Sequence, residues 1–189
     1  GNYNTVVGDE AGTAITTGDE NVAIGYAALY SEDTATRATA IGYGALYTQN
    51  AGDVATYNTA VGYQAGLLVT TAVNNTLIGG LAGDAINTGN NNSAVGYSAL
   101  GDNTTGSSNS AFGLLALGTN ISSNNNSAFG FCAMALNITG TANTAIGNFA
   151  LRDTQNGCKN TAVGYQSMLD ATSADCNVAL GAYSLANNT

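Results

Sequence analysis

Histidine, proline and tryptophan are absent from all 189 residues, and only 8% of the chain is charged. A chain without histidine lacks the side chain most often used for proton transfer near neutral pH. With so few carboxylates and amines besides, it is short of the usual parts for acid–base chemistry. The three basic residues, Arg37, Arg152 and Lys159, face twelve acidic ones, for a net charge of −9. That balance repels a phosphate backbone and argues against nucleic-acid binding. No apolar run approaches the roughly 20 residues needed to cross a bilayer, so membrane insertion is not expected. The opening Gly1-Asn2-Tyr3-Asn4 lacks the basic and apolar regions of a signal peptide. Export is then directed by a part outside this sequence, or the chain is carried on a virion or another assembly. The cysteines fit no zinc spacing, and Gly42-Tyr43-Gly44 lacks the third glycine of a phosphate loop. The expectation is a chain with no catalytic residues, no metal and no cofactor.

What is present is repetition. A 17-residue unit starts at Asn4, Asn21, Ala38, Asn58, Asn75, Asn92, Asn109, Asn126, Asn143, Asn160 and Asn177. A glycine follows four residues later in every copy, from Gly8 to Gly181. The register breaks once, by three residues within 47–57. The unit reads Asn-Thr/Ser-Ala-(Val/Ile/Phe)-Gly-Tyr-x-Ala-Leu, then a polar half rich in Asn, Thr and Gly. A polar chain of low charge can fail to offset its conformational entropy and stay disordered, but strict repetition argues against that here.

A unit this short cannot hold a helical hairpin, and its β-branched residues and turn formers suit two short strands with tight bends. Residues 1–189 are therefore read as one array, an all-β parallel β-solenoid with one unit per coil. At a strand spacing of about 4.8 Å, eleven coils make a rod of roughly 50 Å. The ladder Val7, Ile24, Ile41, Val61, Ile78, Val95, Phe112, Phe129, Ile146, Val163, Leu180 is expected to be core. The Asn ladder is expected to bond side chain to side chain between coils. The repeated glycine suggests a positive φ or a close backbone approach.

Successive strand residues point to opposite faces, yet Ala60 and Val61 are both apolar, as are Ala94 and Val95. The pairs Ala45/Leu46 and Ala99/Leu100 repeat the pattern. Either both faces are covered, which calls for lateral association, or alanine tolerates exposure. Neither end carries a capping segment, and open solenoid ends expose unpaired edges, so the chain reads as part of a longer fibre or as one whose ends stack on something.

Candidate functional residues fall on this frame. Tyr26, Tyr43, Tyr63, Tyr97 and Tyr165 follow the repeated glycine and form a ladder that either contacts glycans or packs on itself. Cys158 and Cys176 fall on neighbouring coils near one edge, within reach of a disulfide; Cys132 reads as a buried small residue. Among seven Asn-x-Ser/Thr sequons, Asn103, Asn120 and Asn137 are one unit apart and would form a surface row for N-glycosylation. The pairs Asp9-Glu10, Asp19-Glu20 and Glu32-Asp33 read as a solvated end, and Glu20 is expected to meet Arg37 on the next coil.

The segment Asn58-Thr-Ala-Val-Gly-Tyr-Gln-Ala65, nearly repeated at Asn160 to Ser167, resembles the repeats of trimeric autotransporter adhesin heads and related phage tail-fibre proteins. The resemblance covers essentially the whole chain, although the coils of those heads are shorter. It implies a homotrimer of left-handed parallel β-rolls on a bacterial or virion surface that contacts matrix or cell-surface glycans. The expected role is a non-catalytic extracellular structural or adhesive element that assembles with itself into a trimer or a filament. The alternative is a monomeric ice- or glycan-binding solenoid. Against ice binding, the Thr/Ser of the second place shares a strand face with the expected core ladder and should point inward.

Overall fold

The computed structural model describes residues 1–187 and contains eleven strands and no helix among them. The strands β1 (Thr5–Val7), β2 (Val22–Ile24), β3 (Thr39–Ile41), β4 (Thr59–Val61), β5 (Thr76–Ile78) and β6 (Ser93–Val95) lead into β7 (Ser110–Phe112), β8 (Ser127–Phe129), β9 (Thr144–Ile146), β10 (Thr161–Val163) and β11 (Val178–Leu180). They pair in chain order as a single parallel sheet. Each residue lies beside its counterpart in the next unit, as Ser110 beside Ser127 and Phe112 beside Phe129. The chain is thus a β-solenoid with one 17-residue unit per coil. Coils are numbered 1 to 11 below, and places 1 to 17 count from the Asn that opens each unit.

Each coil holds one short strand, not two. The rest is a chain of turns in which residues at places 7, 9 and 17 adopt left-handed φ, including Leu100 (53°), Leu117 (50°) and Asn125 (61°). A left-handed residue other than glycine costs roughly 1–2 kcal/mol. Hydrogen bonds to both neighbouring coils offset that cost: Leu115 N–H donates back to the Tyr97 carbonyl at 3.0 Å, and Leu117 N–H donates forward to Ala133 at 3.0 Å. This alternation of hand also breaks strand periodicity. Ala116 and Leu117 are adjacent, yet both are fully buried in the same interior.

The glycine at place 5 is required twice over. Its φ lies in the left-handed half of the map, 139° at Gly113, and a Cβ there would sit 2.4 Å from the carbonyl oxygen of Gly130 on the next coil.

The core is narrow and runs along the rod axis. Its strand contribution is the alanine of place 3, such as Ala94, Ala111 and Ala128, and not the larger residue of place 4. Places 9 and 12 fill the remaining space in a complementary way. Coils with Leu or Met at place 9 carry a polar or small residue at place 12, as in Leu100 with Asn103 or Leu151 with Thr154. Coils with glycine at place 9 carry an aliphatic, as in Gly66 with Val69 and Gly83 with Ile86. Leu77, the exceptional leucine at place 3, reaches into the room that Gly66 and Gly83 leave. Interior volume is conserved coil by coil, as close packing requires.

The asparagine ladder at place 1 bonds mainly to backbone. Asn75 Nδ2 donates to the Gly89 carbonyl within its own coil at 2.9 Å, while its Oδ1 accepts the Asn92 main-chain N–H of the next at 2.9 Å. Backbone groups at a corner have no sheet partner, and a carboxamide supplies both a donor and an acceptor there. Coil 3 has Ala38 instead, and Gln49 from the same coil accepts from Asn58 Nδ2 at 2.8 Å. The three-residue insertion stands out at Asn50–Val54 while Thr39 remains paired with Thr59 and Ile41 with Val61.

Candidate functional site: the strand face and its flanking groove

The side chains of places 2 and 4 point away from the core, because place 3 between them is buried and a strand alternates. The ladder Val7, Ile24, Ile41, Val61, Ile78, Val95, Phe112, Phe129, Ile146, Val163, Leu180 is therefore an outer ridge, half-buried by its own neighbours and open to solvent on top; Phe112 and Ile146 are 37% and 44% exposed. The expectation of a core ladder inverted the two faces. The reason is size: with the place 9 or place 12 side chain already inside, a thin coil leaves room for little more than alanine from the strand. The Thr/Ser row of place 2 consequently faces outward as well, beside the apolar row, and is partly exposed in β3 to β10. The inward placement expected for that row is corrected with it.

A groove runs along the rod on a different side. Its floor is Gly101, Gly118 and Ala135 at place 10, where coils 2 and 3 carry Tyr30 and Tyr47. Leu115, Leu136, Ile121 and Ile138 form apolar walls, and the part lined by Ile121 and Ile138 has a volume of about 540 Å³. Asp84 and Asp102 stand at one end; burial and the nearby Asp102 raise the Asp84 pKa above its usual range. Beyond the other end lies the set Arg152, Asp153 and Asp170. Arg152 donates twice to Asp153, with Nε 2.8 Å from Oδ1, which holds the Asp153 pKa down. The neighbouring Asp153 carboxylate, and after it burial, raise the pKa of Asp170.

Tyr26, Tyr43 and Tyr63 form a true stack, with ring centroids 5.1 and 5.3 Å apart and planes within 19°. In such a stack the ring faces are occupied by each other, leaving edges and hydroxyls outward. A platform for flat sugar rings needs free faces, which this part of the ladder does not offer. The nearby Glu10 carboxylate raises the Tyr26 pKa. Gly80 interrupts the ladder, with Tyr97 lying close to it. From Phe131 on, the aromatic run Phe131, Phe149, Tyr165, Tyr183 packs edge to face.

Three further placements correct the expectations drawn from sequence. Cys132, Cys158 and Cys176 are all free. Cys158 Sγ turns back to accept from the Thr141 N–H of the preceding coil at 3.4 Å, whereas Cys176 lies on the following coil. Asn103, Asn120 and Asn137 form no surface row. They are fully buried at place 12, linked side chain to side chain at 2.9 Å, and no glycosylating enzyme can reach them in the folded rod. Glu32 is not part of a solvated end: it is fully buried, accepting from Ala35 N–H at 2.9 Å and Gln49 Nε2 at 3.0 Å. Cys132 is half-buried, with its thiol pKa raised by burial. Glu20 and Arg37 do pair, at 2.6 Å and in the open, with Tyr57 hydroxyl accepting from Arg37 at 3.1 Å.

Among the described residues no three His, Cys, Asp or Glu side chains gather closely enough to hold a metal ion. Comparison with protein-family models, with curated proteins and with solved structures returns no match to this chain. The site is therefore read from its geometry alone.

Proposed function

We propose that the chain is a non-catalytic structural or adhesive fibre element, displayed outside the cell or on a virion, that assembles with copies of itself, three chains being the expected number. The observation that supports this most is the apolar ridge of place 4, which continues through all eleven strands on the solvent side of the sheet. Soluble monomers seldom expose contiguous apolar surface on this scale, and a neighbouring rod of the same repeat can cover it along its length. Cell-surface or matrix glycans are the proposed targets of the assembled fibre.

Light scattering after size exclusion tests the reading. The unreduced chain is expected at a multiple of its single-chain mass, and replacing Ile41, Ile78 and Ile146 by threonine is expected to lower that multiple. A strictly monomeric parent overturns it.

One observation favours a second reading, binding to an ordered lattice such as ice. The hydroxyl row of place 2 lies on the outward face, with a repeat of about 4.8 Å along the rod. Shaping of ice crystals by the purified chain would carry it, and growth unaffected by the chain would remove it.

A further inference from the structure

Coils 7 and 8, residues 109 to 142, contain no charged side chain, and the uncharged stretch extends from Asn103 to Leu151. These coils also expose large apolar side chains at several places around their circumference: Phe112 and Phe129 on the strand face, Leu114 and Phe131 past the glycine corner, Ile121 and Ile138 in the groove. Charged residues return on both sides, Asp84 and Asp102 before, Arg152 and Asp153 after. An apolar, aromatic centre depleted of charge and bounded by a polar rim is the anatomy of a protein interface.

The ridge and the groove in this girdle lie at the same height. Phe112 and Phe129, rings stacked 4.9 Å apart with planes 5° from parallel, crown coils 7 and 8 on the strand face. The groove floor of Gly101, Gly118 and Ala135 centres on coil 7 on another side. A contact that places one chain's ridge in the next chain's groove therefore needs a rotation about the rod direction and no shift along it. Repetition of a pure rotation closes into a ring, whereas an axial offset would generate an open helical filament.

We infer that the Phe112–Phe129 pair of one copy seats in the Gly101/Gly118/Ala135 groove of a second, parallel copy at the same level, so that the chains form a closed ring held at this girdle. The inference rests on the self-association reading and specifies which faces meet. The occupant is a second copy because the same chain carries the stacked rings and, at matching height, a recess floored by the smallest residues and walled by Leu115 and Leu136, with Asp84 and Asp102 confined to one end. Where coils 2 and 3 fill that floor with Tyr30 and Tyr47, the ridge carries only Ile24 and Ile41.

Disulfide trapping tests this. Cys132, Cys158 and Cys176 are replaced by serine, and Ser110→Cys beside the ridge is combined with Thr119→Cys in the groove wall. The double variant is expected to form interchain disulfides up to a closed ring on a non-reducing gel, and each single variant to form none. Crosslinking by Ser110→Cys alone would place strand face on strand face and overturn the inference while leaving self-association intact. A multi-chain mass without a crosslink in the double variant also overturns it, and a single-chain mass for the parent overturns both readings. A second variant, Ala135→Tyr, fills the groove at a place where two other coils already hold tyrosine, so the fold should keep its circular dichroism. Its association is expected to weaken by roughly tenfold or more, the loss of one well-seated aromatic anchor. Unchanged association would overturn the inference.

Discussion

Asn126 Oδ1 accepts the main-chain N–H of Asn143 at 3.0 Å, across the gap between two coils where no sheet hydrogen bond is available. Both residues are buried. Asn126→Leu keeps the heavy-atom count and branching but orphans that N–H and the Gly140 carbonyl, which takes Asn126 Nδ2 at 2.8 Å. A buried unsatisfied group costs about 1–3 kcal/mol, so the melting temperature should fall by several degrees. A melt coincident with the parent's would show that the ladder is decorative.

Gly113→Ala should be worse. The added Cβ meets the Gly130 carbonyl oxygen at 2.4 Å, and the φ of 139° is strained for any L side chain. Gly181→Ala shares the strain, at φ 114°, but nothing lies within 4 Å of its Cβ. Thermal melts should rank Gly113→Ala well below Gly181→Ala, and equal losses would mean that conformation alone demands the glycine.

One substitution should stabilise. Ala142 is exposed with φ 58°, at a place where Asn74, Asn91 and Asn125 occupy the same conformation. Asparagine tolerates it better than alanine, so Ala142→Asn should add up to about 1 kcal/mol in urea unfolding.

The interior complementarity makes a double-sided prediction. Gly83→Leu alone would collide with Leu77 and Ile86, whose side chains lie 2.7 Å from the new Cβ. Overpacking of this kind costs about 1–3 kcal/mol. The triple change Leu77→Ala, Gly83→Leu, Ile86→Asn copies coil 6 with its Ala94, Leu100 and Asn103, and should recover most of the loss. If the triple variant is no more stable than the single, the two fillings are not interchangeable.

The Asp153–Asp170 pair sets a pH response. Asp153 has its pKa lowered by Arg152, so its stabilising contribution is present above the unfolded pKa and is lost as pH falls through the folded value. Asp170 is shifted the other way by Asp153, so it favours folding in its protonated form and its contribution is lost as pH rises through its folded pKa. Carbon-detected titration should find Asp170 losing its proton at higher pH than Asp153. Asp153→Asn should bring Asp170 back toward an ordinary aspartate.

Much of the architecture is legible in the amino-acid sequence. Glycine spacing fixes coil number and register, and the invariant Gly8 to Gly181 column announces both a positive φ and close contact. Which strand face lines the core is not legible from alternation alone, since Ala60 and Val61 are both apolar. The bore of the coil decides it, and that depends on the left-handed residues at places 7, 9 and 17, for which Leu100 or Ala27 give no propensity signal. The burial of Asn103, Asn120 and Asn137 could have been found by noticing that place 12 holds a large aliphatic only where place 9 is glycine. The groove is visible in sequence as Gly101, Gly118 and Ala135 replacing Tyr30 and Tyr47, once those residues are aligned in register.

The loop at residues 50–54 leaves the coils on either side in unbroken pairing. Because each coil touches only its neighbours, extra residues at this point lengthen one circumference without propagating error along the axis. The rod can thus serve as a scaffold with a built-in insertion port. A foreign peptide spliced between Asn50 and Asp53 would be carried at a defined height on the solenoid without disturbing the pairing of the coils on either side.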